Sequence, residues 1–337
     1  MFAPEHASTS HLLSASTQQT SHPKMAGKLA IIGASGKLGF ATLNALLDHK
    51  LIPPEKIVCT TSSESGAKKL DSALNQGVEI RSANWKDHQS WNTALQGCEK
   101  VFLISSARTE KDFNDAPHGQ GREADHFPTI EAARHVGVKH IYYASLAFAN
   151  PSLSRVMKAH ERTEEYLNQI GLNYTIIREG LYNESWPLYL GHYDVASDDR
   201  KEIIVGGDSK ISWTSIPDLG LANAIILSDP SEKWARKMFY LSQKKAHTLQ
   251  EVAAMVSAAR KSDVSLKVVS REEHEKHHVQ ERGMPEPFIK WWSKTYDALR
   301  EKECEIDDPT LEELLETKGV RPKQMEQTVW EMVTGGM

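Results

Sequence analysis

The sequence predicts an α/β fold: a doubly wound parallel sheet with helices on both faces, followed by a smaller, mainly helical C-terminal lobe. Three observations carry that expectation. Short apolar runs of strand type alternate with helical segments from Lys28 to Arg178, the pattern of successive βαβ units. The first run ends in a glycine-rich turn, Gly33-Ala-Ser-Gly36-Lys-Leu-Gly39, that leads straight into a helical pattern. From about residue 245 the chain turns charged and helical, with Pro285, Pro287 and Trp291-Trp292 in its middle.

The elements follow in order. Residues 29–32 form a buried first strand, bounded by Gly33. Leu43, Leu46 and Leu47 give residues 38–48 a helical stripe. After Pro53-Pro54, residues 56–60 read as the second strand, 78–81 as the third and 101–104 as the fourth, which ends in Ser105-Ser106. Residues 129–136 are helical, and 140–144 form a fifth strand ending at Ser145. Residues 161–170 make an amphipathic helix with Tyr166, Leu167 and Ile170 on its apolar side, and 173–178 form a sixth strand.

Bulk properties narrow the function. The 337 residues, 39% hydrophobic, suffice for a large core. With a net charge of -5 there is no positive excess to attract nucleic acid directly. No run approaches the roughly 18 apolar residues of a membrane span. Cys59, Cys98 and Cys304 are few and scattered, which fits a reducing compartment and a cytoplasmic protein. Residues 1–26 are rich in Ser, Thr, His and Gln without arginine, and read as a disordered tail rather than a secretory or transit leader.

The glycine turn has a physical purpose. Gly33 permits the tight turn, Gly36 lets backbone approach a pyrophosphate, and Gly39 lets the helix pack close to the sheet. Ser35, Lys37 and Leu38 complete the loop, and the helix N-terminus offers free N–H groups to phosphate. A strand-to-helix turn of this spacing points to a Rossmann-type dinucleotide site. At the end of the second strand an acid would select NAD, whereas here stand Cys59-Thr60-Thr61-Ser62-Ser63, with Lys68 and Lys69 beyond and Glu64 as the nearest acid. NADP(H) is therefore favoured over NAD(H). The expected division is a dinucleotide-binding domain over 27–245, with 180–215 contributing to a substrate lobe completed by 246–337.

Further motifs carry a resemblance. They are Ser82-Ala-Asn-Trp85 with Asp87, residues 101–106, Val138-Lys-His-Ile-Tyr-Tyr-Ala-Ser145 and His160-Glu-Arg-Thr-Glu164. Asn173-Tyr-Thr-Ile-Ile-Arg-Glu-Gly-Leu-Tyr-Asn-Glu184, Gly207-Asp-Ser-Lys-Ile211 and Pro217-Asp218 continue the series. With the glycine turn, they make residues 28–230 resemble the NmrA-like family of atypical short-chain dehydrogenases, in particular its quinone oxidoreductases and triphenylmethane reductases. The resemblance implies that Ser62 and Ser63 face the adenosine phosphate, that Asn84 and Trp85 flank the adenine, and that Ser105 and Ser145 lie beside the ribose and nicotinamide. Members often carry Asp at the position of Asn84, Arg at that of Thr61 or Ser62, and Asn at that of Glu179.

The Tyr-x-x-x-Lys pair of typical short-chain dehydrogenases is missing: Leu146 follows Tyr142, Ala147 follows Tyr143, and Ser154 precedes Lys158 at that spacing. His160, which falls where isoflavone-reductase-like enzymes place a lysine, is a candidate proton donor because histidine titrates near neutrality. Tyr182 is a second candidate, as donor or as a stacking surface, and Lys158 a third. Each has a structural alternative: a helix-face hydrogen bond for His160, a core position for Tyr182 and a solvated one for Lys158. His274-Glu-Lys-His-His278 fits a zinc-peptidase spacing, but its charged surroundings argue for a solvated helix face, and no metal is expected. Met284, Phe288, Trp291 and Trp292 are read as core of the C-terminal helices rather than an apolar lid, and Trp186 and Trp213 share that ambiguity.

The expected function is NAD(P)H-dependent hydride transfer to a small aromatic or quinone-like substrate, a flat acceptor for which no strong acid is required. The alternative is a non-catalytic dinucleotide-sensing regulator with a protein partner, nuclear in that case. A blocked nicotinamide pocket would mark the regulator and an open one the enzyme; a homodimer is left open.

Overall fold

The computed structural model describes residues 27–336; the tail expected over 1–26 lies outside them. Among the described residues there are eleven strands: β1 (Lys28–Ile32), β2 (Ile57–Thr61), β3 (Glu79–Ser82), β4 (Cys98–Ile104), β5 (His140–Leu146) and β6 (Asn173–Glu179), then β7 (Leu181–Tyr182), β8 (Glu202–Val205), β9 (Trp213–Thr214), β10 (Lys237–Leu241) and β11 (Ser265–Val268). Seven of them build one sheet in the order β10-β6-β5-β4-β1-β2-β3, each neighbouring pair parallel. The doubly wound sheet expected from the sequence is present, with six strands at the expected places and β10 added at the edge.

Alternation along the strands sends side chains to two cores. Leu29, Ile31, Phe102, Tyr142 and Ile177 pack on one face with helices Lys37–Asp48, Ile216–Ser228 and Thr310–Glu316. Ala30, Ile32, Val101, Leu103 and Ile141 pack on the other with Trp91, Ile130 and Leu167 from helices Ser90–Ala94, Glu123–His135 and Lys158–Gln169. A third core joins Trp186, Tyr189 and Trp213 to Val252, Trp291, Trp292, Tyr296 and Val329. It is the centre of the second lobe, whose two small sheets pair β8 with β11 and β7 with β9. Trp186 and Trp213 are core residues, 0% and 1% exposed. Helix Thr310–Glu316, within the span read as C-terminal lobe, packs instead against the sheet domain through Leu311, Leu314 and Leu315.

Between β1 and β4 the strand order changes direction. Connections run away from this point on both sides, so the C-terminal ends of β1 and β4 are left uncovered. The site lies there.

Candidate functional site

Sterics build the turn after β1. Gly33 sits at φ +83°, which other residues adopt with strain. A Cβ on Gly39 would stand 2.3 Å from the Gly33 carbonyl oxygen and 2.8 Å from Ala34 Cα, so only glycine lets the helix start this close to the turn. Helix Lys37–Asp48 has Gly36 as N-cap, no side-chain cap and no acid in its first turn. Its unpaired N–H groups and positive dipole end are therefore available to an anion. The turn lines a cleft of about 340 Å³ together with Thr60, Thr61 and Ser62 after β2 and Ser105 to Ala107 after β4.

Trp85 and Trp91 close one side of this cleft, ring centroids 4.7 Å apart. Trp91 was not singled out in the sequence; its spacing of six from Trp85 is the only signal it leaves there. Two residues expected at the cofactor are not among those lining the cleft. Asn84 is exposed and its side-chain oxygen accepts from Lys86 N–H at 2.9 Å, holding a local turn outside the cleft wall. The Ser63 hydroxyl accepts from Gly66 N–H at 3.1 Å, capping helix Glu64–Lys69 instead of lining the cleft. Ser62 is exposed in the wall.

A second cavity of about 400 Å³ continues from the cleft. The two share Leu38, Ile104, Ser105, Ser106, Ala107 and Tyr182. Beyond that junction the walls are largely apolar: Leu181, Leu188, Tyr189, Phe288, Trp291 and Trp292 from the second lobe. Phe288, Trp291 and Trp292 thus serve both as lobe core and as pocket wall, whereas Met284 does not reach it. A concave, largely apolar lining of this kind is typical of small-molecule sites.

A polar network fixes the floor. His126 Nε2 accepts Ser106 N–H at 3.0 Å, so its proton is on Nδ1, which donates to Thr163 Oγ1 at 2.8 Å. Burial and the nearby Arg122 and Lys111 charges hold His126 down at about 3. Arg122 pairs with Asp112 at 2.6 Å, and Ser105 Oγ lies 3.3 Å from His126 Nε2. Ser145 Oγ donates to Glu164 Oε1 at 2.5 Å, and Arg178 pairs with Glu164 Oε2 at 2.7 Å. Ser105 and Ser145 are both brought to the cavity.

The three catalytic candidates separate. His160 lines the cavity, with Nδ1 3.0 Å from the Tyr143 hydroxyl. Burial, then the Arg122 charge, drives its pKa well below the ordinary value. It is a neutral hydrogen-bonding group, and the neutral-range titration that made it a candidate acid is removed. Tyr182 sits at the junction of cleft and cavity, and burial followed by the Glu179 and Glu184 carboxyls raises its phenol above the usual value. Lys158 points away: it pairs with Glu161 at 2.9 Å and its side chain is 57% exposed, because the first turn of its helix presents it to solvent.

Glu179 is the group that sequence reasoning underrated. At the end of β6 it is 1% exposed and lines the cavity. Oε1 accepts from Asn223 Nδ2 at 2.9 Å, and Oε2 has no partner. Burial pushes its carboxyl up to about 8. The signal available was an acid replacing the family's common Asn within an apolar strand end.

The solvated reading of the His274–His278 face is also corrected. Both residues are 0% exposed, with ring centroids 4.3 Å apart, and His274 packs on Tyr296 at 4.9 Å. Glu272, Glu273 and Lys276 take the solvent side, so a charged sequence hides a two-sided helix. Among the described residues no group of three or more His, Cys, Asp or Glu is placed to hold a metal. No described helix is long and apolar enough to cross a membrane.

Comparison with known proteins agrees with this architecture. A sequence model of the NmrA-like family matches residues 25–325. Quinone oxidoreductase 2 of Escherichia coli K12 is 33% identical over 226 residues, covering 67% of this chain and 72% of that protein. The crystal structure of an NADPH-dependent quinone oxidoreductase from E. coli complexed with NADPH superposes with a TM-score of 0.73 and 27% identity, covering 89% of this chain and 98% of that one. Triphenylmethane reductase of Citrobacter sp., complexed with NADP(H), gives a TM-score of 0.73 and 25% identity, covering 90% and 99%.

Proposed function

The chain belongs to the NmrA-like family, and from that premise we propose that it is an NADPH-dependent oxidoreductase that reduces a flat conjugated acceptor, such as a quinone or an aromatic dye. One observation carries the reading: an open, largely apolar cavity runs on from the dinucleotide cleft and shares its wall. A sensor that only bound the dinucleotide would have no need of that space.

Gly33 to Gly39 hold the pyrophosphate at the helix N-terminus. Ser62, with no acid beside it in the cleft wall, admits the 2′-phosphate of NADP(H). Trp85 and Trp91 supply the adenine wall, and Ser105 and Ser145 hydrogen-bond toward the ribose and nicotinamide. When bound, the nicotinamide supplies the hydride. The lobe built from residues 181–213 and the C-terminal helices positions the acceptor against it, with Tyr182, Trp291 and Trp292 as stacking surfaces and water excluded by the apolar wall. Support comes from the similar NADPH-dependent quinone oxidoreductase and from the triphenylmethane reductase complexed with NADP(H).

The test follows NADPH and NADH oxidation by the purified protein with a panel of benzo- and naphthoquinones. Saturable turnover with NADPH, lost in Gly36→Asp, is expected, because a carboxylate at that N-cap repels the pyrophosphate. Tight NADPH binding without oxidation across the panel would overturn the reductase reading in favour of a dinucleotide sensor.

A further inference from the structure

A quinone needs more than a hydride. Once it has taken up the hydride and its two electrons it is a hydroquinone monoanion, and one proton must still be bonded to the remaining oxygen. The cavity wall offers few donors. His160 is neutral with Nδ1 turned to Tyr143, Arg122 is paired with Asp112, and the raised phenol of Tyr182 holds its proton strongly. We propose that Glu179 carries the proton that the reduced acceptor takes up. This rests on the reductase reading and adds a catalytic residue to it.

The geometry is the argument. Glu179 is buried in the wall at the end of β6, next to the junction residue Tyr182. No cation neutralises it: Arg178, its neighbour on the strand, points to the opposite face and is spent on Glu164. Among the described residues the one hydrogen bond to its carboxyl comes from the amide of Asn223, a neutral donor. An isolated carboxylate in such a place is expensive, so burial pushes the group up to about 8 and it stays a carboxylic acid at neutral pH. That leaves an O–H on a carboxyl whose Oε2 is buried and has no protein partner. The ionisable groups around it are Tyr182 and Glu184 beyond β6, and His160 and Arg122 in the same cavity wall. Helix Ile216–Ser228 contributes Asn223, with Asp218 in its first turn.

In the step, the Glu179 O–H bond breaks and the acceptor's O–H bond forms. NADPH is oxidised to NADP+, the quinone is reduced to hydroquinone, and the resulting carboxylate regains a proton from solvent. A cationic triphenylmethane dye is the contrasting acceptor. It takes the hydride at its central carbon and becomes neutral with no proton required.

Glu179→Gln keeps the side-chain volume and an oxygen for Asn223 while removing the acid. In the NADPH-loaded protein, the ratio of 1,4-naphthoquinone turnover to dye decolourisation is expected to fall about 10²-fold or more in this variant. Wild-type quinone turnover should decline above about pH 8, a limb absent from the dye reaction. In a 13C-carboxyl-glutamate NMR titration of the protein without NADPH, one glutamate should stay protonated through neutral pH, and its signal should vanish in Glu179→Gln. An unchanged ratio, or a set of glutamates all ionised in the ordinary range, would overturn the assignment alone. Wild-type protein inert toward both acceptors would instead bring down the reductase reading, and this inference with it.

Discussion

At the scale of single residues, the cofactor cleft shows how little chemistry separates two dinucleotides. Ser62 stands in the wall at the end of β2, where an acid would bond the free ribose hydroxyls and repel a 2′-phosphate. Ser62→Asp is therefore expected to weaken NADPH relative to NADH by about tenfold or more, about 1.4 kcal/mol, read by fluorescence titration of both reduced dinucleotides. An unchanged preference would mean that Ser62 does not meet the phosphate. Glu179 makes a second residue-scale prediction, independent of turnover. A carboxyl raised from 4.5 to about 8 keeps its proton in the fold after the unfolded chain has released it. Its stabilisation is complete below the unfolded value and is lost as pH rises through the folded one, on the order of a few kcal/mol. Between about pH 4.5 and about pH 8 the melting temperature of the wild type should therefore fall more steeply than that of Glu179→Gln, so that the two converge or cross. Parallel curves would show an ionised Glu179.

Elements hold those residues in place through a few buried connections. Glu164, on helix Lys158–Gln169, accepts from Ser145 on β5, Asn150 and Arg178 on β6. Arg178 reaches on to the Tyr240 hydroxyl on β10 at 2.7 Å. One carboxylate thus ties the helix to two strands whose ends line the cavity, and a third strand is reached through Arg178. Glu164→Ala leaves Arg178 buried and unpaired, so a loss of about 3–5 kcal/mol is expected in urea unfolding. Adding Arg178→Met should recover much of it, and failure to recover would mean that Glu164 acts mainly through Ser145. This level was only partly legible in the sequence. The six strands and the glycine turn announced themselves because burial imposes apolar runs, and a close helix start demands Gly39. β10 did not, since Lys237 and Met238 are exposed on a sheet edge and break its apolar run. The inward faces of His274 and His278 were hidden because histidine is read as polar, and only the packing of Tyr296 and His192 around them shows which side is inside. Of the site, the residues that touch backbone turns were readable, whereas Trp91 and Glu179 owe their role to where distant strands bring them.

Across the whole molecule, buried histidines set the acid limit. His126, His192 and His274 are held down at about 3 and His140 and His278 at about 4, with His160 also well below 6.5, all chiefly by burial. Such groups are neutral in the fold and protonate once the chain unfolds. Their contribution is intact above the unfolded value of 6.5 and is lost as pH falls below it, by up to about 1.4 kcal/mol per pH unit for each. Glu179, Glu184, Asp208 and Asp218, all raised by burial, push the other way. The histidines outnumber them, so unfolding at about pH 5 should take up several protons and cost several kcal/mol of a total near 5–15 kcal/mol. Stability should thus peak near neutrality and collapse steeply on acidification, measurable by thermal melts in buffers of differing ionisation enthalpy. His274 tests the cause. Neither of its ring nitrogens has a partner, and it packs against His278 and Tyr296. His274→Phe retains an aromatic ring there and removes one titrating group. It should raise the melting temperature at about pH 5.5 more than at about pH 7.5. An equal gain at both values would trace the effect to the orphaned nitrogens alone, and would mean that His274 does not titrate on unfolding.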